Sequence, residues 1–304
     1  MTVRTASTLS PRAPRLPNFM TTHRPPIRAA LETAAAHGIT ADRCDILQDG
    51  STLVLRLTET LVARVVQDSD GPRQGTAWFA RENAIAQHLT AHHAPVIPLH
   101  PDLPPGPHEH LGYPMNFWEF VTRIPAEPAP AEVGRTLRQC HEILRTFTGE
   151  LPVLGIITET IAILETREVF PATTLRMLHD RLTTSLEALR HLPAQPLHGD
   201  AHMGNLMHTT RGLLWTDWED AFTGPIEWDI ASLIWNAQIL DEDHAAVNAI
   251  LEAYGPVNEL ALQQNLVARA AVITAWYPIL YPNPNEDRRT KLVRRIEWLE
   301  SNEV

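Results

Sequence analysis

Leu197-His198-Gly199-Asp200-Ala201-His202-Met203-Gly204-Asn205 decides the reading of this sequence; an apolar run, Leu213-Leu214-Trp215, then delivers Asp217-Trp218-Glu219. An Asp, an Asn five residues on and a second Asp twelve beyond that allow a short loop and the next hairpin to face one cleft. Phosphoryl transfer asks a protein for little covalent chemistry. It needs a carboxylate to receive the acceptor hydroxyl's proton and hard oxygen ligands to hold Mg²⁺ against the phosphates. Asp200 fits the first role, and Asn205 and Asp217 fit the second. A lone Asp-x-x-x-x-Asn is ordinarily a turn, so the weight rests on the joint pattern with Asp217 at the end of an apolar strand. His198 and His202, four apart, would also suit a zinc pair. No glutamate stands in the right place between them, however, and Gly199 and Gly204 oppose a helix there.

Outward from this stretch the chain changes character near residues 121–126. On the C-terminal side helical periodicity dominates, over 131–147, 174–189, 244–254, 261–279 and 287–298. On the N-terminal side an Ala-rich helix over 27–37 stops before Gly38. Strands over 43–48, 52–57 and 61–66 follow, split by Asp49-Gly50 and by Thr58-Glu59-Thr60, as an antiparallel meander. A helix over 76–92 is predicted behind that sheet. Two more strands are expected over 96–99 and 115–121, separated by a loop holding Pro101, Pro104, Pro105 and Pro107. Residues 1–26, rich in Pro, Thr and Arg, read as a loose tail. The expected division is a tail over 1–26, an N-terminal lobe over 27–121 and a helical C-terminal lobe over 122–304.

Composition narrows the class without naming the reaction. The 44% hydrophobic content over 304 residues is that of a globular protein, and no apolar run is long enough to span a bilayer. Residues 1–20 lack the apolar core of a secretion signal, so a cytoplasmic location is expected. The two cysteines, Cys44 and Cys140, suggest neither a disulfide framework nor a thiolate metal site. A formal charge of −11 argues against nucleic acid and anionic membranes as partners. Lys291 is the single lysine, so any cation anchoring a phosphate is expected to be arginine.

His-Gly-Asp-x-His-x-Gly-Asn followed by Asp-Trp-Glu resembles the aminoglycoside phosphotransferase and choline kinase superfamily, relatives of the protein kinases. The resemblance runs from about Leu31 to Leu299 and is sharpest between Leu197 and Ala231. It implies an α+β, bilobal, protein-kinase-like fold, with Asp200 as catalytic base and Asn205 and Asp217 as magnesium ligands. Gly224, Pro225 and Asp229 also match the family, in which the equivalent Asp supports the catalytic loop. On the nucleotide side the resemblance implies that Arg64 takes the place of the phosphate-anchoring lysine on the third strand, with Glu82 as its partner and Arg56 as the rival cation. Arg offers a planar fork to phosphate oxygens. It further implies a phosphate-covering turn at Gly50 and Ser51, and a hinge where backbone at Glu119 and Val121 reads the purine of ATP, or of GTP as the alternative donor.

The acceptor is expected to be a small hydroxyl compound. In this superfamily its pocket is built by the C-terminal helices, where Asp241, Glu242, Asp243, Glu286 and Asp287 stand with Trp235, Trp276, Tyr277 and Tyr281. Carboxylates and aromatic faces suit a cationic, sugar-like molecule; the same residues also suit solvated helix starts and core aromatics. Three functions follow: an antibiotic phosphotransferase acting on an aminoglycoside or related natural product; a metabolic kinase of the same fold acting on choline, homoserine or a sugar; and a catalytically inactive nucleotide-binding module.

Overall fold

The computed structural model describes residues 24–67, 75–167, 169–240 and 243–302. Most of the expected tail, residues 1–23, and Asp241 and Glu242 lie outside the described residues. Two compact units form, one from the chain up to residue 76 with 99–120, the other from 77–98 with 121 onward.

The first unit packs helix α1 (Pro25–Ala36) on a five-stranded antiparallel sheet of order β1-β2-β3-β5-β4. Its strands are β1 (Asp45–Asp49), β2 (Thr52–Arg56), β3 (Leu61–Val66), β4 (His108–His110) and β5 (Tyr113–Glu119). Helix α1 starts two residues before the expected Ile27 because proline is at home in a first helical turn, where no N–H donor is required. Alternation does the rest: Leu53, Leu55, Leu61, Ala63, Val65, Met115 and Phe117 are buried with Ile27 and Leu31. Arg64 points to the other face, between its cross-strand partners Val54 and Asn116.

The strand expected over 96–99 does not form. Val96 bridges Trp215 and Leu99 bridges Trp118 as isolated pairs, since Pro95 and Pro98 each withhold a ladder donor. Strand β4, by contrast, starts immediately after Pro107, within what the sequence suggested was irregular chain.

The second unit is mainly helical: α2 (Ala77–Ala91), α3 (Pro130–Leu144), α4 (Gly155–Thr166), α5 (Ala172–Leu189), α6 (Glu227–Leu240), α7 (His244–Tyr254), α8 (Glu259–Leu280) and α9 (Glu286–Ser301). Two short hairpin-like ladders interrupt it, β6 (Gln195–Leu197) with β9 (Phe222–Gly224) and β7 (Leu206–Thr209) with β8 (Gly212–Trp215). The predicted helical stretches include neither α4, which buries one face through Ile156, Ile157, Thr160, Ile163 and Leu164, nor α6. In α6 nearly every side, from Glu227 through Ser232, is buried, so no polar stripe marks it as a surface helix. Trp215, Trp218, Phe222 and Trp228 are fully enclosed, and they wrap the segment that carries Asp200. No helix among the described residues is long and apolar enough to cross a membrane.

Candidate active site

Strand β6 runs directly into His198 and Gly199, and two buried side chains, Asp229 and Trp228, fix that turn. Asp229, on α6, accepts from the backbone N–H groups of His198 at 2.7 Å and Gly199 at 2.9 Å. Trp228 donates its indole N–H to the Gly199 carbonyl at 2.7 Å. Gly199 has φ +86°, and a Cβ there would run into the Asp220 carbonyl, 2.6 Å from its carbon, so glycine is required by both conformation and space. Behind Asp229, His141 of α3 donates Nε2–H to the carboxyl at 2.8 Å, and the Tyr254 hydroxyl of α7 meets His141 Nδ1 at 2.7 Å. Burial pushes the Tyr254 phenol up, so it keeps its proton and donates. A buried file of hydrogen bonds thus runs from α7 through α3 and α6 to the loop.

His198 is closed off and spent. Its Nε2 donates to the Thr216 carbonyl at 3.0 Å while Nδ1 accepts from the Asp200 N–H at 3.3 Å, which requires one neutral tautomer. Burial lowers its pKa in keeping with that. His202 accepts from the Gly204 N–H at 2.9 Å through Nδ1 and turns Nε2 to Asp200 Oδ2 at 3.3 Å. The ring nitrogens of His198 and His202 are thus all engaged within the loop and its surroundings, and among the described residues no group of three or more His, Cys, Asp or Glu side chains is arranged to hold a metal.

Asp200 retains partial exposure, with its side chain 24% accessible. Oδ1 accepts from the guanidinium of Arg269, on α8, and Oδ2 receives Asn205 Nδ2 at 3.3 Å beside His202. Burial by itself would raise the Asp200 pKa. The Arg269 charge, followed by the His202 hydrogen bond and charge, outweighs burial and holds it well below the usual carboxylate range.

Asn205 closes a single 3-10 turn (Met203–Asn205), and its Nδ2 also donates to the Asp200 carbonyl at 3.0 Å. That turns its amide oxygen away from Asp200. Asp217 follows Thr216, whose N–H donates to the Asn205 carbonyl at 3.0 Å and whose carbonyl takes His198. Asp217 has a left-handed backbone, φ 67° and ψ 57°, and begins the turn Trp218–Asp220. The loop and the β8 exit are therefore stitched together at Thr216. Asn205 and Asp217 supply an amide and a carboxylate oxygen, the hard donors that a divalent cation such as Mg²⁺ prefers. Arg81 of α2 donates to the Glu219 carbonyl, Nε at 2.8 Å, which ties α2 and its buried Glu82 to the Asp217 turn.

In the first unit the Gly50-Ser51 turn is pinned from one side. Gln67 N–H donates to the Ser51 carbonyl at 2.9 Å, and Gln67 Nε2 to the Gly50 carbonyl at 2.9 Å and to Asp49 at 3.0 Å. Arg24 pairs with Asp49 at 2.6 Å and holds the Asp49 carboxyl down at about 2. Arg56 is employed elsewhere: it donates to the carbonyls of Thr58 at 3.1 Å and Glu59 at 2.9 Å and lies 3.5 Å over the Phe120 ring. Arg64, on the inner strand β3, is half-buried. Arg64, Gly50, Ser51 and Glu119 belong to the first unit, and Glu82 and Val121 to the second.

The residues proposed for an acceptor pocket divide sharply. Asp243, Glu286 and Asp287 are exposed at helix starts. Trp235 and Tyr277 are buried, but their faces are taken by the chain's own Arg295, whose guanidinium lies 4.6 Å and 4.7 Å from their ring centres. Tyr281 is likewise covered by Arg288 at 3.9 Å, and Trp276 donates to Thr160 at 2.9 Å. Sequence reasoning missed Arg269, His141, Tyr254 and Arg295. Only Arg269 left a signal: it is a lone charge within the apolar run Leu266-Val267-Ala268-Arg269-Ala270-Ala271-Val272.

The family of phosphotransferase enzymes matches residues 32–264. A thiamine kinase of Escherichia coli O1:K1 / APEC is 29% identical over 211 residues, which cover 66% of this chain and 67% of that protein. Among solved structures, the amicoumacin kinase hAmiN in complex with AMP-PNP, Ca²⁺ and Ami superposes with a TM-score of 0.67 at 14% identity, over 86% of this chain and 88% of that one. Choline kinase LicA from Streptococcus pneumoniae gives 0.65 at 14% identity, over 90% and 98%. The shared α+β architecture is that of the protein-kinase-like phosphotransferases.

Proposed function

The chain belongs to the phosphotransferase enzyme family and is a small-molecule kinase with an alcohol group as acceptor, and from that premise we propose that it moves the γ-phosphoryl group of ATP to a hydroxyl held against Asp200. The observation that carries the proposal is the placement of Asp200. It is a half-open carboxylate on a loop whose amides are fixed by Asp229, in contact with Asn205, and stitched through Thr216 to the residue before Asp217. Oδ2 takes two donors and Oδ1 one, so the acceptor hydroxyl approaches Oδ1. A carboxylate held ionised by Arg269 is a weak base, which suits a loose transition state in which the hydroxyl is chiefly oriented and gives up its proton late. Asn205 and Asp217 would hold a magnesium ion, which when bound neutralises charge on the phosphate oxygens.

For the nucleotide, Arg64 is assigned to the phosphates with Glu82 as its carboxylate partner. The Gly50-Ser51 turn, its carbonyls drawn to Gln67 and its Gly50 N–H to the Thr52 carbonyl, covers the phosphates with the Ser51 N–H and hydroxyl. Backbone at Glu119 and Val121 reads the purine, and GTP is the alternative donor. Thiamine is the first acceptor to try, because a thiamine kinase is among the relatives, at 29% identity. Aminoglycosides come second, and choline, homoserine and sugars complete the panel.

The test is nucleotide consumption by the purified full chain with ATP or GTP and magnesium across that panel. Acceptor-dependent release of diphosphate nucleotide, abolished in Asp200→Asn while nucleotide binding persists, is the expected result. Equal release with and without every acceptor, or undiminished turnover in Asp200→Asn, overturns it.

A further inference from the structure

The turn assigned to the phosphates is held by more than its own strands. Strand β1, which leads into it, is an edge strand exposed along its whole length, and a bulge breaks its register with β2 between Ile46 and Gln48. Gly50 and Ser51 are exposed as well, so burial does not fix them. Three polar side chains close a clamp beside them instead. Arg24 donates Nη1 to Asp49 Oδ2 at 2.6 Å, and its Nη2 reaches Asp49 Oδ1 at 3.0 Å and Gln67 Oε1 at 2.6 Å. Gln67 Nε2 completes the circuit on Asp49 Oδ1 at 3.0 Å. Each corner comes from a different element, since Arg24 precedes α1, Asp49 ends β1 and Gln67 follows β3, and all of them lie in the first unit.

Stability alone does not account for the clamp. An exposed ion pair adds little to it, because water competes for both charges and long side chains lose their freedom. The clamp instead selects one face of the turn. Gln67 takes both turn carbonyls, with its side chain on Gly50 and its backbone N–H on Ser51, while the Gly50 N–H goes to the Thr52 carbonyl. Oxygens that would repel a phosphate are thereby drawn to Gln67, and the Ser51 N–H and hydroxyl are what the turn offers an anion. Arg24 covers the Asp49 carboxylate, a negative charge two residues from Ser51 that would oppose a polyphosphate.

We propose that Arg24 and Gln67 are positioning residues of the nucleotide site: with Asp49 they hold the Gly50-Ser51 turn ready for phosphate oxygens and cancel the carboxylate beside it. The proposal rests on the assignment of that turn to the phosphates. A turn ordered in advance loses less freedom when its ligand arrives, so the clamp sets nucleotide affinity, and sets it through the phosphates and not through the base. Arg24, from the end of the expected tail, thus becomes part of the working molecule.

The test is calorimetric titration of the full chain and magnesium with AMP-PNP, ADP, AMP and adenosine, the guanosine series being run in parallel. Arg24→Met and Gln67→Ala should each bind AMP-PNP about tenfold more weakly than the wild type, with the loss shrinking through ADP and AMP and vanishing for adenosine. A general loss of structure would weaken all of them alike. Arg24→Lys, which keeps the charge but not the fork, should melt with the wild type and recover part of the affinity. Arg24→Met combined with Asp49→Asn should bind AMP-PNP more tightly than Arg24→Met alone, because the uncovered carboxylate is gone. Ser51→Pro, which deletes the N–H and hydroxyl of the turn, separates this proposal from its premise. If Ser51→Pro loses AMP-PNP affinity while Arg24→Met and Gln67→Ala keep it, the turn assignment stands and the clamp is overturned. If none of the three loses affinity, the assignment falls and takes the clamp with it.

Discussion

Replacing Asp229 by alanine should damage the protein more than any loop substitution near Asp200. The carboxyl is fully buried and collects three donors: the N–H groups of His198 and Gly199 at 2.7 and 2.9 Å and His141 Nε2 at 2.8 Å. Each donor left unsatisfied costs about 1–3 kcal/mol. A water entering the vacated space would satisfy some of them, so the net loss expected is about 3–5 kcal/mol. That is a large share of the roughly 5–15 kcal/mol by which domains are stable. Urea denaturation at neutral pH, compared at equal m-value, reads it directly. Tyr254→Phe, which removes only the far end of the file, should cost about 1 kcal/mol. A loss below about 1 kcal/mol in Asp229→Ala, or a larger loss in Tyr254→Phe than in Asp229→Ala, would refute the idea that the loop hangs from Asp229.

Asp200→Asn should reduce kcat by about 10²–10⁴-fold once an acceptor is in hand, with the nucleotide dissociation constant unchanged by calorimetry. Arg269→Met removes the donor on Asp200 Oδ1 and should lower kcat with little effect on the nucleotide KM, and Arg269→Lys should recover part of the loss. An Arg269→Met enzyme at full rate would count against that contact. His198 gives a pH dependence of stability. Its folded pKa is depressed by burial, so below about pH 6.5 the unfolded chain binds the extra proton. The His198 contribution is therefore complete above that pH and falls by at most about 1.4 kcal/mol per unit as pH drops below it. Urea midpoints between pH 5 and 8 for wild type and His198→Asn should differ in slope only on the acid side, and parallel curves would sink the assignment.

Much of this was legible in the sequence because the informative signals are local. The His198–Asn205 loop and Asp217 announce their chemistry by residue type and spacing, and the β2–β3 pair follows from alternation that the sheet then buries. What escaped is set by distant contacts. Helix α6 looks featureless because it is buried on almost every side, so the periodicity that marks a surface helix is missing. His141 and Tyr254 are 113 residues apart, and nothing in either neighbourhood says that they meet over Asp229. For the aromatics of the C-terminal helices the sequence leaves ligand faces and core residues as alternatives, because it cannot show that Arg288 already covers Tyr281 and Arg295 covers Trp235 and Tyr277. Pro95 and Pro98 were visible, and giving their missing donors full weight would have excluded the strand at 96–99.

Arg269 and Arg295 show why burial of a charge has to be read together with its partners. Both are almost wholly enclosed in the same unit. Arg269 spends its charge on the Asp200 carboxylate, so its burial is compensated, and removing it should act through the base it holds. Arg295 faces two aromatic rings, with Nε and Nη1 enclosed and unpartnered, so replacing it by an apolar side chain of similar size should relieve the fold. Opposite signs of stability change for Arg269→Met and Arg295→Met, both measured in chloride, follow from that single difference. If both variants lost stability equally, the two aromatic faces would compensate the buried Arg295 charge as fully as Asp200 compensates Arg269, and the contrast drawn from their partners would be refuted.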